Sequence, residues 1–191
     1  MRKIFFDIET SDVFSDVGIN DPSALNISVV GIYDSEREVY EHFLQEDLTK
    51  LWPIIESADV LIGYNSDHFD IPLLNKYYSG DLRSVRSLDL LKEIKNCCGR
   101  RMKLDQVAEG TLGINKTGAG MQATEWWKKG EKQKVIDYCL NDVKITKEIY
   151  DYALANNKII FKEGAELITI PLKTSHWEEK IEKVLNHTLP F

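Results

Sequence analysis

The chain has 191 residues, 43% hydrophobic and 29% charged, which is the balance of a globular protein able to bury a substantial core. Its 24 Lys and Arg against 31 Asp and Glu give a formal net charge of −7, which excludes a broad, sequence-blind basic face for duplex DNA. No run of residues approaches a membrane span, and the short apolar run Ile4-Phe5-Phe6 is far from a secretory core, so the sequence reads as a soluble, intracellular and cytoplasmic protein.

Ile4-Phe5-Phe6 opens a first β-strand that runs into Asp7-Ile8-Glu9-Thr10. Alternate strand residues share a face, so Asp7 and Glu9 project together, about 6–7 Å apart along the strand. Two carboxylates on so hydrophobic a strand need a positive partner. No Lys or Arg lies within three residues on the C-terminal side, which makes a metal ion the natural candidate.

A polar loop, 11–26, follows, then strands over 27–33 and 38–43 joined by a turn at Asp34-Ser35-Glu36. The spacing of Leu48, Leu51, Ile54 and Ile55 predicts a helix over 46–57, despite Pro53. Val60-Leu61-Ile62 reads as a buried parallel strand, followed by a helix over 71–78 and a strand near 85–88. The stretch 89–113 is expected to be helical with a break at Gly99-Arg100-Arg101. A Gly-rich loop, 116–120, then leads to Trp126-Trp127 and Lys128-Lys129. The clearest element is a long helix over 131–155. A hairpin over 159–172 turns at Gly164, and the capping-box spacing of Ser175 and Glu178 predicts a short amphipathic terminal helix bearing Trp177, Ile181, Val184 and Leu185.

Two further acids stand out. Asp70 follows Gly63-Tyr64-Asn65-Ser66-Asp67-His68-Phe69 at a helix start, where it reads either as a capping residue or as a ligand. On the long helix, Val135, Asp142 and Ile149 are seven apart and lie within about 20° of one another per step, so Asp142 interrupts an apolar stripe. Tyr138, one turn earlier, shares its side. Alone, a buried Asp142 could equally be structural, paired with Arg or with backbone donors. The three cysteines form no CxxC and the four histidines no HxxxH or HExxH. Any metal would therefore be held by oxygen, as suits Mg²⁺ or Mn²⁺ better than Zn²⁺, and Cys97, Cys98 and Cys139 read as reduced structural thiols.

D-x-E on a first strand, N-x3-F-D after a later strand and Y-x3-D on a late helix, in that order, resemble the DEDD 3′–5′ exonucleases of the RNase H-like superfamily. Tyr138 points to the Tyr-bearing (DEDDy) branch. The run 138–146 and Leu104-Asp105-Gln106-Val107-Ala108 look like those of exonucleases related to the proofreading domains of family B polymerases. The resemblance implies an α/β fold with a mixed central sheet of about five strands flanked by helices. The exonuclease domain would span 1–172, with 173–191 a short helix packed on it. It implies catalytic and metal-binding roles for Asp7, Glu9, Asp70 and Asp142, with two divalent cations, Mg²⁺ or Mn²⁺. Asp7 would bridge both ions, Glu9 and Asp142 would complete the nucleophile-side ion, and Asp70 would act on the other, partly through water. Tyr138 would orient the attacking water, because a phenol with an ordinary pKa near 10 is a poor base at neutral pH.

The backbone from Ile8 to Thr10 would meet the terminal sugar, and Asn65 and Phe69 would shape the end-binding pocket. The implied substrates are single-stranded DNA or RNA 3′ ends, cut to nucleoside 5′-monophosphates. A proofreading or repair role would call for a separate polymerase or repair partner, since 191 residues hold no polymerase domain. Two other readings stand beside this one: a non-catalytic nucleic-acid-binding or partner-binding module on the same fold, and a structure-specific endonuclease. Trp126 and Trp127 read as packing residues. The Lys group at 128, 129, 132 and 134 and the group Arg100, Arg101 and Lys103 read either as solvated or as phosphate contacts. His68 is expected at the surface, and His176 and His187 carry no signal.

Overall fold

The computed structural model of the protein describes residues 1–114 and 121–179. The hydrophobic first segment forms β1 (Lys3–Thr10), and a single turn of helix, α1 (Phe14–Val17), lies in the polar loop after it. There follow β2 (Ile27–Asp34), β3 (Val39–Leu44), α2 (Trp52–Glu56), β4 (Val60–Gly63), α3 (Asp70–Asn75), β5 (Ser87–Asp89), α4 (Leu90–Cys98) and α5 (Leu104–Leu112). After the undescribed stretch come α6 (Met121–Lys128), α7 (Lys132–Asn156), β6 (Lys158–Glu163) and β7 (Glu166–Pro171). The sheet order is β3-β2-β1-β4-β5: β1 to β3 meander antiparallel, while β4 and β5 run parallel to β1. This is the expected mixed α/β sheet of five strands, with the expected hairpin of β6 and β7 at the C-terminal side of α7.

The parity of β1 divides the core. Ile4, Phe6 and Ile8 point to one face and pack with Val30, Ile32, Leu48, Ile55 and Leu73. Phe5 points to the other, where it meets Ile62, Leu88, Val143, Tyr150 and the hairpin residues Ile159 and Phe161. Each fully buried aliphatic or aromatic side chain of this kind contributes roughly 1.5–3 kcal/mol. Asp7 and Glu9 fall on the Phe5 side, which is the side covered by α7. At Gly31, directly opposite Asp7 on β2, a Cβ would stand 2.9 Å from Cys139 Sγ, 3.2 Å from Val143 Cγ2 and 3.3 Å from Leu140 Cδ2. Glycine therefore lets α7 lie close on the sheet beside the two acids.

The far end of the same strand pair is fastened by an ion pair. Arg2 Nη2 donates to Asp34 Oδ2 at 2.6 Å and its Nε to Oδ1 at 3.3 Å, while Nη1 reaches Ser57 Oγ at 2.7 Å. The Asp34 side chain is 0% exposed. Burial by itself would raise its carboxyl, but the Arg2 hydrogen bond and charge, with the N–H of Glu36, hold it below the usual carboxylate range.

Three expected elements differ. The helix expected over 46–57 is a 3-10 turn, Gln45–Lys50, followed by the separate α2, because Pro53 lacks the N–H that a continuous helix would use and restricts the residue before it. The helix expected over 71–78 stops at Asn75, whose side-chain oxygen accepts the N–H of Leu82 at 2.8 Å. At the C-terminal side, 175–178 form a turn and not the start of a helix. The Glu178 carboxylate that a capping box would need is taken by Lys3 Nζ at 2.7 Å and by the Tyr150 hydroxyl at 2.6 Å. Trp177, fully buried, stacks on Tyr150 with ring centroids 5.3 Å apart. The rest of the expected terminal helix, 180–191, and the expected Gly-rich loop, 116–120, lie outside the described residues.

Candidate active site

Side-chain alternation on β1 and one helical turn on α7 create the site. Asp7 and Glu9 project from β1 toward α7. From α7, Asp142 comes up between the buried residues Cys139, Val143 and Ile145. One oxygen each from Asp7, Glu9 and Asp142 lie within 4.8 Å of one another. Burial pushes the Asp7 carboxyl well up, and the charges of Asp142, Glu9 and Asp70 add to it. Glu9 is raised in the same way, by burial first and then by Asp142 and Asp70. Three hard oxygen ligands that repel one another form a donor set matched to a divalent cation bound through oxygen. These residues fit the ion that the sequence pattern calls for.

Asp70 approaches from the other side. It sits in the first turn of α3 with 5% exposure, and the N-cap position belongs to Phe69, so Asp70 is not the cap of its helix. Burial raises its carboxyl to about 7. Asp89 adds to that rise, while the backbone N–H groups of Asp70 itself and of Ile8 draw it down. Asp70 is close enough to raise Asp7 and Glu9 but stands outside the tight three-oxygen group. Tyr138, half-buried, has its phenol held protonated by burial and by Asp142, Glu9 and Asp7.

Among the residues expected to contact substrate, Ile8 buries its side chain in the opposite core and leaves only its backbone toward the site. The Thr10 hydroxyl donates to the Asp12 carbonyl at 2.8 Å, and the Thr10 carbonyl accepts from Thr124 Oγ1 at 3.2 Å. Phe69 is half-buried and edge-on to Phe14, 6.2 Å between centroids. Asn65 occupies a left-handed backbone conformation, φ +66°. His68 is exposed.

Several further residues support these groups. Cys139 is fully buried, and its thiol, raised by burial first, points at Asp7, with Sγ 3.3 Å from the carbonyl and 3.7 Å from Oδ2. Trp126 packs edge-on against Tyr138 at 6.0 Å, and the buried Thr124 ties α6 to β1, so α6 walls the site. Trp127 instead lies under Lys132 Nζ, 4.9 Å from its ring centroid. Asp89, a strand-end Asp before Leu90-Leu91, carried a legible capping signal. Its carboxylate accepts from Leu91 and Lys92 at the start of α4 and also holds the turn after β4. Thr124 had no comparable signal, because its partner Thr10 is distant in sequence.

The chain belongs to the RNase_H superfamily, whose family model matches residues 4–154. Among solved structures its fold is similar to that of the family B DNA polymerase of the hyperthermophilic archaeon Pyrobaculum calidifontis. That structure aligns with a TM-score of 0.62 and 21% identity over 81% of this chain and 24% of the polymerase chain. The likeness is one of fold, and the chain spans about a quarter of that polymerase's length. No curated protein matches the sequence. Among the described residues no helix is long and apolar enough to cross a membrane.

Proposed function

We propose that this chain is a metal-dependent 3′–5′ exonuclease of the DEDDy type, removing nucleoside 5′-monophosphates from single-stranded DNA or RNA ends. The observation that carries the reading is the convergence of Asp7, Glu9 and Asp142 oxygens within 4.8 Å, with Tyr138 one turn from Asp142. The family B polymerase fold likeness fits a role beside a polymerase or repair partner.

In this mechanism Asp7, Glu9 and Asp142 hold divalent cations, with Asp70 contributing from the α3 side. Such ions, when bound, lower the pKa of the attacking water and stabilise the departing 3′ oxygen. Tyr138 keeps its proton and orients the water by hydrogen bond, with Trp126 fixing the ring from behind. The backbone at Ile8 to Thr10 meets the terminal sugar, held by the Thr10–Thr124 and Thr10–Asp12 hydrogen bonds. Asn65 and Phe69 shape the pocket for the unstacked end, since a frayed base can leave its stack to reach a recessed site.

The test is a time course on matched 5′-labelled DNA and RNA strands with Mg²⁺ or Mn²⁺, alongside a circular single strand. Stepwise shortening of the linear strands, an untouched circle and loss of cleavage in a folded Asp7→Asn variant are the expected results. Equal activity in Asp7→Asn and wild type would overturn the assignment, and cleavage of the circle would indicate an endonuclease.

A further inference from the structure

The turn between β4 and α3, which ends at Asp70, is gripped from two sides. The Asp89 carboxylate, 5% exposed, accepts the N–H of Asn65 at 2.8 Å and of Asp67 at 3.2 Å. From the loop between α4 and α5, Arg101 Nη2 donates to Asn65 Oδ1 at 2.5 Å, and the Met102 carbonyl accepts from the Tyr64 hydroxyl at 2.8 Å. The left-handed backbone of Asn65 is therefore fixed by its surroundings, and Arg101, though exposed, has an anchored tip.

The cations around the site differ in what they are bound to. Arg100 pairs with Glu163 at 2.9 Å and lies over the Phe161 ring, turned to the β6–β7 hairpin. Lys92 pairs with Asp67, Lys128 with Asp16 and Lys134 with Glu131. Arg101 donates to a neutral amide, a bond that does not offset its charge and that uses one of the five guanidinium N–H donors. Its seat, Asn65, lies in the turn that ends at Asp70, which places the guanidinium tip on the α3 side of the acids.

We propose that Arg101 is a substrate-binding residue that takes a non-scissile backbone phosphate of the single strand entering the site, with Asn65 as its seat. A guanidinium held at one corner presents the remainder of its planar fork to phosphate oxygens. The inference rests on the exonuclease reading for the identity of the strand, while the binding chemistry itself is that of any single-stranded nucleic acid.

Equilibrium binding of a fluorescent single-stranded oligonucleotide, measured in an Asp7→Asn background across a range of NaCl concentrations, tests it. Arg101→Ala is expected to weaken binding on the order of 5–20-fold at low salt and to flatten the slope of log affinity against log salt by about 0.7. Arg101→Lys should restore the slope but only part of the affinity, and Arg100→Ala should leave both as they were. In the otherwise native chain, Arg101→Ala should raise KM with kcat held. Unchanged affinity and slope in Arg101→Ala would overturn the proposal, as would an equal loss in Arg100→Ala. A native chain without nuclease activity, in which Arg101→Ala still flattens the salt dependence, would remove the exonuclease reading and keep the phosphate contact. An active native chain with an unaltered Arg101→Ala slope and KM would do the reverse.

Discussion

The β1–β2 ladder holds carboxylates at both ends, and the two ends treat them in opposite ways. At one end Ile4 faces Asp34, whose carboxylate is closed by Arg2 and titrates below its usual range. At the other, Asp7 faces Gly31 and meets Glu9 and Asp142, and its carboxyl is driven well up by burial and by like charge. Both sit on the same sheet, Asp34 fully buried and Asp7 part-buried, so burial alone does not mark the acid suited to a metal ion. The sign of the neighbours does. A buried acid whose neighbours are also acids lowers stability unless a cation from solution completes it, and sites that do chemistry with metals are built in this way.

Substitutions that exchange the two behaviours give the largest expected effects. Asp7→Asn should cut kcat by about 10³–10⁴-fold, equivalent to about 4–5.5 kcal/mol of barrier. The same change should raise the melting temperature in EDTA, because one of the repelling charges is gone. Single-turnover kinetics and thermal melts check the pair of outcomes, and a fall in the melting temperature would place Asp7 with Asp34.

The pH dependence sharpens the contrast because the two ends contribute with opposite sign. Asp70, raised from 3.8 to about 7, belongs to the acid-rich end. In the metal-free protein its contribution is fully present below about pH 4 and is lost as pH rises through 7, a change on the order of 4 kcal/mol. Asp34, with its carboxyl depressed, contributes above the ordinary carboxylate range and loses that contribution as pH falls through its folded value. Urea unfolding in EDTA should therefore show stability declining from about pH 4 to 7. Mg²⁺ or Mn²⁺ at a hundred times its Kd should return about 2.7 kcal/mol at pH 7.

At the paired end, Arg2→Ala leaves Asp34 buried without its guanidinium and should lower unfolding stability by about 3 kcal/mol, with nuclease activity per folded molecule unchanged. Tyr138→Phe makes the smallest difference. It keeps the ring against Trp126 but removes the hydroxyl, and should lower kcat about tenfold, about 1.4 kcal/mol, with KM held.

Strand parity made the pairing of Asp7 and Glu9 legible without coordinates, and helical spacing put Tyr138 and Asp142 on one face, because both are consequences of local geometry. Asp70 was less legible: an Asp at a helix start satisfies a capping pattern, and only the tertiary contact with the Ile8 N–H shows it turned to the site. The wall made by α6 was not legible at all, since Thr124 reaches Thr10 across 114 residues. The fold's layers followed from hydrophobic runs. The broken helix at Pro53 and the turn at 175–178 did not, because there a missing N–H and a diverted Glu178 outweigh the periodicity that the apolar residues display.

Gly31 gives the site an unusual dependence. The acids at its heart come from two elements that no turn of chain connects, and the gap between them is set by how near a helix can lie to a strand. The absence of a single methyl group opposite Asp7 permits that nearness. Adding a carbon there would act as a wedge, moving Asp142 away from Asp7 and Glu9 without altering any ligand. Conversely, an ion drawing the three carboxylates together would pull α7 down on the sheet, so that ligation and helix docking would become one equilibrium and the cation would act as a clasp for the fold.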